Sequence, residues 1–140
     1  MASKTQMFRD QHKDLVDMVG QLKPALDVAK LAKDGSAARS LLIGLAGKLN
    51  VHLSMEDKSL YPQLLKHQDS SVQAKAKTFM TQMGGIKEAF LAFLGKYPTP
   101  QAIQTSAAAF VADTQGIIQV LAKRIDAENS DLYALVDRLG

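Results

Sequence analysis

The chain contains no cysteine, so neither a disulfide frame nor a thiolate ligand can hold the fold or carry its chemistry. This suits a reducing compartment, and a cytoplasmic location is expected. Aromatic residues make up only 6% of the sequence, and valine and isoleucine are sparse, which leaves little material for strands. No block of one charge sign stands out. The net charge is +3 over 140 residues, with Lys and Arg scattered among acids, too weak a footprint for nucleic acid. Long apolar runs are missing too. The longest, around Leu41 to Leu45, falls far short of the roughly 20 residues that cross a bilayer, and Met1 to Asp10 holds no signal-peptide stretch. What remains is a chain 46% hydrophobic, enough to bury one core as a single domain over residues 1–140.

Ala, Leu, Lys, Gln and Asp recur throughout, and their apolar spacing counts four helices. The first is expected from about Thr5 to Ala32, with Phe8, His12, Leu15, Val19, Leu22 and Leu26 on one face. The second opens after Gly35, with Ser36 as its N-cap, and carries Ala38, Leu42, Leu45, Leu49, His52 and Glu56 toward Lys66, bent or ended at Pro62. The third, about Ser71 to Gly95, places Val72, Ala76, Phe79, Met83, Ile86, Phe90 and Phe93 inward. After Tyr97-Pro98-Thr99-Pro100, with Thr99 as N-cap and Pro100 as first helical residue, the fourth carries Phe110, Thr114, Ile117, Leu121, Arg124 and Glu128 toward Gly140. Short connections between long amphipathic helices predict an all-α, antiparallel up-down-up-down four-helix bundle.

The halves repeat. The stripe of the first helix recurs in the third 71 positions later, and that of the second recurs in the fourth 72 positions later. In this register Glu56-Asp57-Lys58-Ser59-Leu60-Tyr61 matches Glu128-Asn129-Ser130-Asp131-Leu132-Tyr133 as E-x-x-x-L-Y, which reads as a duplicated helical hairpin.

Four polar residues, His12, His52, Glu56 and Glu128, fall on the inward stripe where a bundle otherwise wants Leu, Ile or Ala. Each needs a partner, because a buried polar group left alone costs roughly 1 to 3 kcal/mol, and more if charged. A single inward His is most often a hydrogen-bonded core residue; four such groups in a repeated register point to a metal. His52 and Glu56 are four apart and share a helical face, and imidazole with carboxylate suits iron, zinc or manganese. His67 falls off the stripe and is expected to face solvent. Met18, Met55, Met80 and Met83 read as core filler, and the two repeat tyrosines as caps at the ends of the bundle.

The segments H-K-D-L at His12, H-L-S-M-E-D-K-S-L-Y-P at His52 and E-N-S-D-L-Y at Glu128 resemble the hemerythrin HHE cation-binding family over nearly the whole chain. The resemblance implies a four-helix bundle with a pair of irons at its centre, used to bind or sense dioxygen or in iron handling and stress responses. By that analogy His12 and His52 ligate one iron, and Glu56 and Glu128 bridge to the second. The family's remaining histidines would stand at Met83 and Arg124, so the second iron has lost both ligands. Charge arithmetic agrees. Two carboxylates balance one divalent ion, and the permanent cation of Arg124 repels another. At most one non-haem iron per chain is therefore expected, with dioxygen or another small ligand as partner and no catalysis, since no substrate cleft is evident. The alternative is a metal-free structural or interaction bundle in which Arg124 pairs with Glu56 and Glu128.

Overall fold

The computed structural model describes residues 5–139. The chain is an all-α bundle, with no strand among the described residues. Its four long helices are α1 (Gln6–Leu22), α3 (Ser36–Ser59), α5 (Ser70–Lys96) and α7 (Ala107–Ala127). Between and after them lie the shorter α2 (Val28–Lys33), α4 (Tyr61–Leu65), α6 (Pro100–Thr105) and α8 (Tyr133–Leu139). α1 packs on α3, α5 on α7, and α7 back on α1, while α4 turns the chain onto α5.

The breaks have local causes. The first helix does not run unbroken to Ala32 as its apolar spacing suggests. It ends at Leu22 in a tight 3₁₀ turn, Lys23–Ala25, because Pro24 offers no N–H and crowds the carbonyl one turn earlier. Helix resumes as α2 once the Asp27 carboxylate accepts from the Lys30 N–H at 3.0 Å, and Leu26, in the gap, is half-buried instead of core. Ser36 is the first residue of α3 and not its cap. Gly35 takes the cap position, and the Asp34 carboxylate holds the Ser36 N–H at 2.9 Å. A side chain at Gly35 would collide with the Pro100 carbonyl, which lies 2.7 Å from an added Cβ.

Pro62 ends the second helix, as its chemistry requires. α3 stops at Ser59, Leu60 forms a one-residue turn at φ -105° and ψ -60° that still bonds back to the Glu56 carbonyl, and α4 restarts at Tyr61. The third helix begins at Ser70, with the Asp69 carboxylate accepting from the Ser71 N–H. Thr99 caps α6 through the Ala102 N–H at 3.2 Å, and Pro100 follows in the first helical position. The fourth helix is nevertheless in pieces. It breaks at Ser106, and after Ala127 it widens into a π turn, Glu128–Leu132. The expected end at Gly140 lies outside the described residues.

Packing follows most of the predicted stripe, although Val19 and Ile86, like Leu26, are only half-buried. Ile118 enters the core while Ile117 is half-buried, Met80 is exposed, and Met18 and Met55 are only partly covered. The apolar interior divides into two clusters. One runs from Leu15 and Leu49 through Phe90 and Phe110 to Ile125. The other gathers Phe8, Leu60, Tyr61, Phe79, Leu132 and Tyr133. Between them in sequence, on α1, α3, α7 and the π turn, lie His12, His52, Glu56, Arg124 and Glu128, all buried.

Candidate metal centre

The four residues expected to face inward do so together. His12 is 2% exposed, His52 1%, and Glu56 and Glu128 are fully buried. His12 projects from α1 one helical turn beyond Phe8, and His52 from α3 one turn before Glu56, so each helix carries its polar residue inward on the stripe that carries its leucines. The Nε2 atoms of the two imidazoles stand 3.1 Å apart. Glu128 Oε1 lies 2.9 Å from His12 Nε2 and 3.5 Å from His52 Nε2, so three donor atoms from α1, α3 and the π turn converge. Glu56 Oε1 lies 3.1 Å from His52 Nε2.

Two amides fix the rings. Gln11 Oε1 sits 2.7 Å from His52 Nδ1, and Asn129 Oδ1 2.9 Å from His12 Nδ1. A carboxamide oxygen only accepts, so each Nδ1 carries its hydrogen and donates, and each Nε2 is left facing the centre. Gln11 is held in turn by its own N–H donation to the Met55 sulfur at 3.1 Å. Neither amide was found from sequence. Each adjoins a stripe residue and is itself only half-buried, so periodicity carries no signal for it. Their position one residue from His12 and from Glu128 is the clue.

Tyr133 is a correction. It caps no end of the bundle: its hydroxyl donates to Glu56 Oε2 at 2.9 Å and lies 3.3 and 3.4 Å from the two Nε2 atoms. The π turn is the cause. The Tyr133 N–H bonds back to the Glu128 carbonyl, five residues earlier, and this wider turn brings onto one side two residues that an α-helix would splay by about 140°. Tyr61, its counterpart in the first half, is also buried, with its hydroxyl toward Arg124.

Arg124 is buried at 4% exposure, but its expected paired hydrogen bonds to Glu56 and Glu128 do not form. Its Nε stands 3.8 Å from Glu128 Oε2, an ion-pair distance only, and Glu56 is held by Tyr133 instead. The guanidinium donates to the Phe79 carbonyl at 2.7 Å, to the Tyr61 hydroxyl at 3.3 Å and to Gln82 at 3.3 Å, and it stacks over the Phe79 ring. Met83 is buried in the apolar cluster. His67 is half-buried in the turn after α4, accepts from the Asp69 N–H, and takes no part in the cluster.

Charge in this layer is unevenly shared. Burial would push the His52 imidazole down, yet hydrogen bonds with Glu128 and Glu56, and their negative charge, raise it to about 9. Burial pushes the Glu56 carboxyl up, aided by the neighbouring charge of Glu128. Burial acts on Glu128 in the same sense, but hydrogen bonds with His12, His52 and Glu56 and the charge of Arg124 outweigh it and hold this carboxyl well down. Burial, followed by the negative charges of Glu128 and Glu56, pushes the Tyr133 phenol far up.

The donor set fits a metal ion. Glu56 Oε1, 3.1 Å from His52 Nε2, and Glu128 Oε2, 3.8 Å from Arg124 Nε, are buried beside a charged neighbour without a well-aligned hydrogen bond, and natural cores rarely leave such atoms so unless something else satisfies them. Imidazole nitrogen and carboxylate oxygen are the ligands of borderline divalent metals. Residues 3–136 match the model of the hemerythrin HHE cation-binding domain. The chain belongs to that family. No curated protein sequence and no solved structure matches it. As a hemerythrin HHE domain it departs from the two-histidine symmetry of its own repeat, with Met83 and Arg124 standing where His12 and His52 stand in the first half. A surface cleft of about 440 Å³ leads to this centre, lined by His12, Asn129, Arg9 and Lys13 among others. A second borders Arg124 and Gln82.

Proposed function

We propose that this hemerythrin HHE domain binds one non-haem metal ion per chain, iron by the family's chemistry, on His12, His52 and Glu128, with Glu56 as the second carboxylate. The observation that carries the reading is the pair of Nε2 atoms 3.1 Å apart while both Nδ1 atoms are engaged by amides. With both Nδ1 atoms engaged, the two Nε2 atoms face each other and the carboxylates across a gap that a proton on His52 fills in the metal-free chain and that a cation can take over. The separations of 2.9, 3.1 and 3.5 Å suit one ion, since ligands at ~2.1 Å from a metal lie about 3.0 Å apart in an octahedron and about 3.4 Å in a tetrahedron. A bound iron with open positions would supply reversible binding of dioxygen or another small ligand.

The protein's own contribution is to hold both imidazoles in one tautomer, to place the carboxylates, and to keep bulk water out of the core. Arg124 limits the stoichiometry, because its fixed charge stands 3.8 Å from Glu128 and opposes a second cation there. Binding or sensing is the role that the cation-binding family supports best.

Elemental analysis of the chain purified without chelator, followed by titration with ferrous iron and zinc, tests this. One ion or fewer per chain is expected, with tight binding lost in His52→Ala. Two tightly held ions, or none up to millimolar metal, would overturn it.

A further inference from the structure

The three-donor cluster leaves a fourth direction filled by an oxygen that is neither carboxylate nor water. Tyr133 Oη lies 3.3 Å from His12 Nε2 and 3.4 Å from His52 Nε2. These are the separations expected between ligands of one ion, about 3.0 to 3.4 Å for bonds of ~2.1 Å. The phenol stands here by construction. The π turn rotates it to the side of Glu128, its ring stacks on Phe8 and His12, and the residue is fully buried. Ordinary helix continuation would send it elsewhere, and π turns of this kind gather at functional sites.

We propose that Tyr133 is itself a metal ligand, supplying a phenolate oxygen beside His12, His52 and Glu128. This rests on the metal reading above and makes the centre select a hard, trivalent ion over a softer divalent one. On binding, the bond from Oη to the ion forms, the O–H bond breaks, and the proton passes to Glu56 Oε2, the acceptor it already faces at 2.9 Å. A cation at the centre reverses the electrostatic cost of the phenolate, since a bound ion is the largest local charge in such a site. Glu56 thereby acts as the proton's receiver, and its Oε1 still faces His52. Tyr61, the matching residue of the first half, lacks this role: its hydroxyl accepts from Arg124.

The test uses the full chain and ferric citrate, with bound iron counted by elemental analysis. Ferric phenolates absorb in the visible by charge transfer, whereas ferric iron on imidazole and carboxylate alone lacks that band. Wild type should show it in proportion to bound iron, with tyrosine ring vibrations enhanced in resonance Raman, and Tyr133→Phe should lose it. The chain has three tyrosines, so the double variant Tyr61→Phe/Tyr97→Phe, which leaves Tyr133 alone, should keep the band. That result holds even if Tyr133→Phe folds poorly. Iron bound without the band in wild type, or a band lost in the double variant, overturns the proposal while the metal reading stands. Failure of the chain to hold iron or zinc would remove both.

Discussion

Glu56 and Glu128 occupy equivalent places in the two halves of the bundle, and each is followed five residues later by a tyrosine, yet the chain treats the two segments differently. In the first half the helix is cut. α3 ends at Ser59, Pro62 forbids continuation, and Tyr61 begins a new helix with its hydroxyl toward Arg124. In the second half the helix is stretched. The π turn carries the backbone through, and the Tyr133 hydroxyl meets Glu56 and both histidines. Each tyrosine therefore reaches across to the other half. The difference also lies in where positive charge resides. The second half carries its own permanent cation in Arg124, whereas the first has imidazoles that accept either a proton or an ion. A duplicated hairpin has thus become one centre with a fixed charge on one side and an exchangeable one on the other.

The sharpest way to break this asymmetry is to restore the missing pair. Met83→His with Arg124→His should carry iron uptake from one ion toward two per chain, measured by elemental analysis after anaerobic loading. Unchanged stoichiometry would show that the halves differ by more than these two side chains. Next in size, Arg124→Met removes the donor to the Phe79 carbonyl and the Tyr61 hydroxyl and the cation beside Glu128. It should cost on the order of 3 kcal/mol of stability in denaturant unfolding. A loss below about 1 kcal/mol would mean that the second half does not depend on its arginine.

Freeing the rings tests the exchangeable side. Asn129→Leu or Gln11→Leu removes the acceptor from one Nδ1 and should weaken zinc binding about 10- to 100-fold. Isothermal titration reads this, with circular dichroism to check that helix content is kept. Equal affinity in both variants and wild type would sink the idea that the amides aim the imidazoles.

The smallest effect lies far from the centre. Hydrogen bonds from Lys96 and Tyr97 hold the Asp113 carboxyl below its usual range. A depressed folded-state value contributes stability that is complete above the unfolded value near pH 4 and fades as pH falls through the lower folded one. Asp113→Asn should therefore flatten the acid limb of the thermal stability profile slightly below about pH 4 and leave metal binding untouched.

Sequence reading reached the side chains that obey a helical period and missed those that depend on its failure. His12, His52, Glu56 and Glu128 were visible because each falls where a leucine belongs. Tyr133 was not, since its placement depends on a π turn for which E-N-S-D-L-Y holds no marker. Gln11 and Asn129 were hidden by adjacency, as residues beside a stripe position read as surface. Pro24 marks the break in the first helix, and apolar spacing alone runs past it. For Arg124, charge complementarity correctly called for burial near Glu128, but the Phe79 carbonyl and the Tyr61 hydroxyl competed for its donors, and no sequence pattern weighs those rivals.

The polar layer between the two apolar clusters fixes how the helices can slide. A bundle lined only by leucine tolerates a shift of one helix along its neighbour by a turn, about 5.4 Å, since one apolar contact replaces another. Here such a slip would press His12 or Glu128 against Leu15, Phe8 or Leu132 and strand several charges at once, at a cost of several kcal/mol for each buried ion left unpaired. The cluster thus acts as a key cut into the core, selecting one axial alignment of the helices out of several that hydrophobic packing alone would accept.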